Sequence, residues 1–151
     1  MPQRLLDELT EDQHGVIFVE ALLVFPIFIM LTFGILEFGN IMWQRQQVQV
    51  GVRDAARYWS RCRTDVDTCN DIARNIAFYG TPGVGSVPRV PGWELPDQLT
   101  IDPATLPTTP ADDDIVTVAG TVTYAGSPVF SRIFSKGITL NYTYEIRYIG
   151  W

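Results

Sequence analysis

The sequence has few of the residues from which catalytic and metal sites are usually built. It contains one histidine, His14, and two cysteines, Cys62 and Cys69. A zinc site normally takes four ligands, and this histidine is far from the cysteine pair in sequence. If the N-terminal segment that carries His14 is removed, no serine–histidine or cysteine–histidine pair can form. We therefore expect no enzyme activity, no bound metal and no other cofactor.

An excess of basic residues is also missing. Lys and Arg number 11 against 17 Asp and Glu, a net charge of −6, which argues against nucleic acid as a partner. The glycine-containing stretch GTPGVG, residues 80–85, lacks the lysine of a phosphate-binding loop. We expect no nucleic-acid partner and no small-molecule substrate.

What the sequence does contain is one long apolar run, residues 16–36. As a helix, 21 residues span about 31 Å, which matches a hydrocarbon core of about 30 Å. The apolar region of a signal peptide is shorter and precedes a small-residue cleavage site, which is not evident here. The run predicts a retained transmembrane helix in a single-pass membrane protein.

Two residues of this run, Glu20 and Pro26, are unusual in a membrane-spanning helix. Glu20 is a carboxylate near its start, which costs a few kcal/mol in hydrocarbon unless it is paired. Glu20 either extends to the membrane interface or meets a positive charge from another chain. Pro26 removes one backbone donor and predicts a kink or a loosened turn.

The helix is predicted to continue beyond the membrane, through residues 37–61, as an amphipathic helix. Glutamines and arginines, Gln44 among them, form most of its polar face. One face is apolar at helical spacing, with Ile41, Val48, Val52, Ala55 and Trp59. This stripe packs either on the protein's own domain, which we favour, or on neighbouring subunits.

Residues 62–151 have the patterns of a small mixed domain. Residues 70–79 predict a short helix with Asn70 as N-cap and Gly80 at its end. Residues 81–110 are proline-rich and irregular, with a short strand at residues 99–101. Trp93 either plugs the edge of the core, which we favour, or contacts a partner.

Two stretches with a period of two, residues 115–124 and 138–148, predict an antiparallel strand pair. Between them, Ser127 and Pro128 predict the start of a short helix. The expected fold is therefore α+β: a long N-terminal helix, membrane-embedded in its first half, followed by a small antiparallel sheet with short helices.

The start of the apolar run resembles the processing site of type IV pilins and pseudopilins. Gly15 directly precedes the run, and Glu20 follows five positions later. In that family a prepilin peptidase cuts after the glycine. Cleavage here would leave Val16 as the first residue and Glu20 as the fifth. The family's fifth-residue glutamate is thought to pair with the N-terminal amine of a neighbouring subunit, which implies an assembly role for Glu20.

A longer stretch, residues 15–61, resembles the TadE-like proteins of the tight-adherence (Tad/Flp) pilus system. The matching residues are Val19, Glu20, Ala21, Pro26, Gly34, Ile35, Glu37, Phe38, Gly39, Arg53, Ala55, Ala56 and Arg57. The resemblance implies a minor pilin or pseudopilin that supports pilus assembly, and hence adhesion or biofilm formation. Its implied partners are other pilin-like subunits, the inner-membrane assembly platform, the prepilin peptidase and the lipid bilayer.

The same resemblance implies four regions. These are a cytoplasmic leader at 1–15 that is cleaved, a transmembrane helix at 16–36, the helix continuation at 37–61, and a periplasmic domain at 62–151. Cys62 and Cys69 either form a short disulfide loop or remain free thiols. A periplasmic location favours the disulfide, because that compartment is oxidising.

One observation favours the opposite topology, and an alternative function also stays open. Arg4 precedes the span while Arg45 and Arg53 follow it, and the positive-inside rule alone would place the C-terminal domain in the cytoplasm. The chain could also be a stand-alone anchored envelope protein, whose domain binds an envelope component and whose helix is only a tether.

Overall fold

The computed structural model describes residues 14–63, 65–106, 114–133 and 137–150. Its helices are α1 (His14–Trp59), α2 (Val66–Tyr79) and α3 (Pro128–Ile133), with a 3-10 turn at Pro96–Gln98. Its strands are β1 (Leu99–Asp102), β2 (Ile115–Thr123) and β3 (Thr139–Arg147). The chain divides into two compact units, Met1–Phe38 and Gly39–Trp151. The predicted α+β class is confirmed.

The amphipathic part of α1 forms one wall of the core in the second unit. Four residues of the predicted apolar stripe are buried: Val48, Val52, Ala55 and Trp59. Ile41 is partly buried against the same core. The expectation that the stripe packs on the protein's own domain is therefore confirmed. The helix ends at Trp59 rather than at the predicted residue 61, and a turn follows in which the Cys62 N–H donates to the Trp59 carbonyl.

The sheet has the strand order β1-β2-β3, and both pairings are antiparallel. The register opposes Leu99 to Gly120 and Val118 to Tyr144. Along β2 the residues at positions 116, 118, 120 and 122 are buried, because alternate side chains point to the same face. The predicted strand pair and the predicted short strand at residues 99–101 are both confirmed.

Two glycines permit a close approach between α1, α2, the sheet and the Trp93 ring. A Cβ added at Gly51 would lie 2.5 Å from the Ala77 carbonyl oxygen and 2.8 Å from the Trp93 ring. A Cβ added at Gly120 would lie 2.6 Å from a methyl group of Val52. Trp93 is fully buried and packs edge-on against Phe78, with ring centroids 5.2 Å apart. The prediction that Trp93 plugs the core is confirmed.

Helix α2 begins earlier than predicted. Asp65, not Asn70, is the N-cap, and its carboxylate accepts a hydrogen bond from the Thr68 N–H at 3.2 Å. Asn70 lies inside the helix, where its side chain accepts from Arg74 Nε at 2.7 Å. The C-terminal end is as predicted, since Gly80 adopts the left-handed conformation at φ 78°.

The proline-rich segment is irregular over its described part, as predicted. Its fixed points are the Arg89 N–H, which donates to the Phe78 carbonyl, and the buried residues Val90 and Trp93. Positions 107–110, which the prediction also covered, lie outside the described residues.

Strand β2 runs antiparallel to the part of α1 that it covers. Tyr124, just past the end of β2, accepts a hydrogen bond from the Asn40 side chain at 3.0 Å. At the opposite end of the sheet, just after β3, the Tyr148 hydroxyl donates to the Cys62 carbonyl at 2.7 Å. The β2–β3 connection, which contains α3, is therefore held beside Asn40. The predicted cap of α3 is confirmed, because the Phe130 N–H donates to Ser127 Oγ at 3.2 Å.

The close approach at Gly51 can be tested with Gly51→Ala. Alanine raises helix propensity by about 1 kcal/mol, but overpacking against a backbone oxygen costs roughly 1–3 kcal/mol. We expect a net loss of about 1 kcal/mol, a drop in Tm of about 4–8 °C, measured by near-ultraviolet circular dichroism of the full chain in detergent.

The matched control for this variant is Gly39→Ala, at a helical glycine with nothing within 4 Å of an added Cβ. We expect the control to leave the Tm unchanged or to raise it. A Gly51→Ala protein as stable as this control would contradict the packing argument.

Candidate functional site

The apolar segment of α1, residues 16–36, is exposed at every position. The exposed fraction of its large side chains ranges from 40% for Val24 to 77% for Met30. A continuous apolar surface of this size is unfavourable in water, because each large apolar side chain gains about 1.5–3 kcal/mol on burial. The segment has the length and composition of a membrane-spanning helix, and it is consistent with a membrane anchor.

The residues predicted to take part in processing and assembly lie along the first turns of this segment. Gly15 is the second residue of α1, and Val16 is 68% exposed. Glu20 is also exposed and follows Val16 by four residues, so both lie on one helix face about 6 Å apart along the axis. Within the part of the chain that the structure describes, no cation forms an ion pair with Glu20.

Pro26 lies inside α1, two turns after Glu20. Since proline has no N–H, the carbonyl of Leu22 loses its intrahelical donor. A polar carbonyl on an exposed apolar helix requires a partner when its surroundings are hydrocarbon. The kink or loosened turn at this position stays a prediction, and so do the processing and assembly roles of Gly15, Val16, Glu20 and Pro26.

Residues of the string RDAAR, 53–57, hold the second unit together. The Arg53 guanidinium donates two hydrogen bonds to the Tyr142 hydroxyl, at 3.0 and 2.8 Å. It also lies 5.3 Å from the ring centroid of Tyr142 and 5.8 Å from that of Tyr144, which are cation–π distances. Ala55 and Ala56 are fully buried. Arg53 therefore fastens β3 to α1, a role that helical periodicity alone does not reveal.

A polar cluster forms where the second unit begins. Gln44, which we placed on the polar face, is in fact only 2% exposed. Its amide nitrogen lies 3.4 Å from both the Asn40 side-chain oxygen and the Ala125 carbonyl. Asn40 in turn donates to the Tyr124 hydroxyl. Helical periodicity alone assigns this face of α1 to solvent. The prediction was wrong because the β2–β3 connection covers the face and supplies polar partners for Gln44.

Cys62 and Cys69 form a disulfide, with their Cα atoms 6.2 Å apart. It joins the segment after α1 to the first turn of α2. The Tyr148 hydroxyl donates to the Cys62 carbonyl, and the Ile149 N–H donates to the Ser60 carbonyl at 2.8 Å. The disulfide is thus part of the junction at which α1, α2 and the end of β3 meet.

The described residues contain no group of three or more His, Cys, Asp or Glu placed to hold a metal ion. An ion pair joins Arg89 to Asp54 at 3.0 Å, and both side chains are partly exposed. Such a pair contributes at most about 1 kcal/mol. It holds the loop after α2 against α1.

Comparison with protein families identifies residues 15–57 as matching the family described as TadE-like protein. The matched stretch contains the glycine, the apolar segment with Glu20 and Pro26, and the RDAAR string. The family suggests a protein associated with the Tad pilus. No curated protein and no solved structure matches the chain.

The contribution of the disulfide to stability can be measured with the double variant Cys62→Ser/Cys69→Ser. Closing a loop of this length stabilises by roughly 2–3 kcal/mol on the chain-entropy model. We expect the variant to lose about that much free energy of unfolding in a urea titration of the full chain in detergent.

The matched control is wild-type protein unfolded in the presence of a reductant. It should lose the same stability, while reductant should leave the double variant unchanged. Equal midpoints for wild type and variant would contradict a stabilising bond.

Proposed function

We propose that this chain is a minor pilin or pseudopilin that supports assembly of a tight-adherence type IV pilus. The observation that carries the proposal is the coincidence of the TadE-like match, residues 15–57, with a helix whose first half is apolar and exposed. Its partners in this role are other pilin-like subunits and the inner-membrane assembly platform. Adhesion and biofilm formation would follow from the pilus rather than from this chain alone.

The proposed mechanism is lateral association in the bilayer. A membrane-spanning segment at 16–36 confines subunits to one plane, where their helices meet side by side. Glu20 then supplies a carboxylate in a medium of low dielectric constant, where an unpaired charge costs several kcal/mol. The amine of Val16, freed by cleavage after Gly15, is the cation that would pair with it on a neighbouring subunit. Pairing removes that cost and fixes the axial register of the two helices.

The arrangement across the membrane follows from this mechanism. A prepilin peptidase removes the leader, residues 1–15, on the cytoplasmic side. The helix continues beyond the membrane to Trp59, and residues 62–151 form the periplasmic domain. The Cys62–Cys69 disulfide supports this orientation, because structural disulfides persist in oxidising compartments. The role requires no cofactor, no substrate and no enzyme activity of the chain itself.

One observation favours a second function, that of an anchored envelope protein. The loop after α2 exposes three apolar side chains: Val84 is 79% exposed, Val87 is 74% exposed and Leu95 is 54% exposed. Such a group of exposed side chains is a candidate contact for an envelope component. In this alternative the helix is only a tether, and both leader cleavage and Glu20 are dispensable.

Leader removal is tested by the mass of the N-terminal peptide of the protein purified from its native membranes. We expect the mature chain to begin at Val16. Gly15→Leu should abolish cleavage, because the peptidase of this family acts after glycine. Gly34→Leu is a matched control within the same helix and should be cleaved normally. A wild-type chain that still begins at Met1 would favour the tether alternative.

The assembly role is tested by Glu20→Gln in cells that carry the pilus system. Loss of a paired charge in the bilayer should reduce pilus assembly and recovery of partner subunits at least about tenfold, since 1.4 kcal/mol is a factor of ten. Glu94→Gln, at an exposed loop position, makes the same chemical change away from the helix and should have no effect. Unchanged assembly with Glu20→Gln would count against the proposal.

A further inference from the structure

Strand β3 lies at one edge of the sheet and is nine residues long. Its pairing with β2 is one-to-one from Thr139 to Arg147, without a bulge. Edge strands that are protected against further pairing are short, or they carry bulges, prolines or lysines. Residues 139–147 contain neither proline nor lysine, and the charged residues Glu145 and Arg147 lie near the C-terminal end. Most of this edge is therefore unprotected.

The opposite edge of the sheet, formed by β1, is protected. Strand β1 has four residues and ends just before Pro103. Arg74 of α2 donates a hydrogen bond to the Leu99 carbonyl at 2.9 Å and another to the Pro96 carbonyl. The Arg74 side chain thus occupies an edge carbonyl to which an added strand would bond. The two edges differ, and β3 is the one open to pairing.

Hydrogen bonds at the two ends of β3 show which of its backbone groups face outward. The Tyr148 N–H donates to the Asp114 carbonyl at 2.8 Å, and the Ile138 carbonyl accepts from the Tyr124 N–H at 2.7 Å. Even-numbered residues of β3 therefore bond to β2. In an antiparallel pair the groups of the intervening residues point the other way, so the odd-numbered residues face the free edge.

The odd-numbered backbone groups are already paired just beyond the strand but not within it. The Ile149 N–H donates to the Ser60 carbonyl at 2.8 Å, on the side away from β2. In the part of the chain that the structure describes, no partner is present for the outward N–H and carbonyl groups of three exposed residues: Asn141, Thr143 and Glu145. These groups form a row to which another strand can bond.

Side chains on the inner face of β3 are also incompletely covered. Tyr142 and Tyr144 are only partly buried, whereas Val118, which opposes Tyr144 on β2, is fully buried. Arg53 bonds to the Tyr142 hydroxyl and lies over both rings. An added strand would bury more of both rings. Because Arg53 already restricts them, ordering them would cost little conformational entropy.

The sequence of β3 is self-complementary about its middle residue, Thr143. A twofold axis at Thr143 opposes the β3 residues of one copy to those of a second copy as follows: Tyr142 to Tyr144, Asn141 to Glu145, Leu140 to Ile146, and Thr139 to Arg147. Aromatic pairs and threonine pairs stabilise antiparallel strands, whereas opposed like charges destabilise them. An axis at Glu145 would oppose two carboxylates, and an axis at Asn141 would leave Glu145 beyond the end of the strand.

We propose that β3 is a docking edge for β3 of a second copy, which pairs antiparallel about Thr143 and joins the two sheets into one. Asn141, Thr143 and Glu145 then exchange roughly six backbone hydrogen bonds with the second copy, two for each opposed pair. The axis is perpendicular to the sheet, so the helical residues 39–59 of the two copies run in opposite directions. The contact goes beyond the side-by-side helix association of the proposed function and does not depend on it.

The docking edge is tested by disulfide cross-linking of the full chain in detergent. The native cysteines are bonded to each other, so an introduced thiol reacts alone. Opposed residues of a hydrogen-bonded antiparallel pair have Cα atoms about 5.5 Å apart, which is within disulfide range. We expect Thr143→Cys to form a cross-linked dimer on mild oxidation. Thr121→Cys is the matched control, exposed on the same sheet face of the central strand β2, and should not cross-link.

The register is tested with Asn141→Cys and Glu145→Cys. Neither variant should cross-link alone, because equivalent positions of the two copies are about 14 Å apart along the strands. The two variants should cross-link when they are mixed. Cross-linking by Glu145→Cys alone would overturn the proposed pairing, and so would a yield for Thr143→Cys no higher than that for Thr121→Cys.

The strength of the contact is measured by sedimentation equilibrium in detergent. Thr143→Pro removes an outward N–H and leaves the bonds to β2 intact, so we expect the dissociation constant of the dimer to rise at least about tenfold. Thr143→Val keeps the N–H and is the matched control, which should dimerise like wild type.

A second variant keeps the test decisive if the proline substitution disturbs folding. Thr143→Lys opposes two positive charges at the axis without changing the backbone, and it should weaken the dimer to a similar extent. A wild-type chain that stays monomeric would overturn the proposal. A dimer that both variants leave unchanged would assign association to another surface, such as the apolar segment. That result would overturn docking at β3 while the proposed function stands.

Discussion

The structure depends on a single helix that presents apolar residues to two different surroundings. In residues 16–36 every position is exposed, so no face of the helix is reserved for the protein's own core. From Val48 onward, most apolar residues recur on one face, and that face is buried, whereas Val50 lies off it and is 43% exposed. The change from an all-round pattern to a one-sided pattern is what divides this chain into an anchor and a folded unit.

Packing against the one-sided part of α1 then fixes the direction of the sheet. Gly51 and Gly120 let the Trp93 ring and α2 approach the helix more closely than a Cβ would allow. Because β2 runs antiparallel to α1, one end of the sheet meets Asn40 and the other meets the disulfide. The two ends therefore differ: the first is held by the Asn40–Tyr124 hydrogen bond, and the second lies at the disulfide.

The sequence predicted the parts of this fold that depend on short periodic patterns. The alternation in β2, the Ser127 cap and the burial of Trp93 required only local residues. The N-cap of α2 was misplaced because Asn70 and Asp65 are both good cap residues, and only the structure shows that the Asp65 carboxylate accepts the capping hydrogen bond from Thr68. Burial of Gln44 could not be predicted, since it requires a carbonyl 81 residues away.

For the candidate site, the sequence identified the residues but could not supply their partners. The pattern that identified Gly15, Val16, Glu20 and Pro26 concerns contacts with other chains. The structure of a single chain therefore leaves the roles of these residues as proposals. Arg53 shows the opposite case, because its ring contacts are with Tyr142 and Tyr144 of the same chain. One residue of the matched stretch thus serves the fold, while the assembly role of Glu20 and Pro26 remains our proposal.

The orientation of the folded unit follows from weighing two physical signals. Arg45 and Arg53 after the span, against Arg4 before it, differ by one arginine, and the positive-inside rule is weak at so small a difference. The disulfide is a covalent feature that cytosolic reductants remove, and it lies where α1, α2 and β3 meet. A fold that places a disulfide at such a junction is suited to an oxidising compartment. The disulfide therefore supports the extracytoplasmic orientation that we propose for residues 62–151.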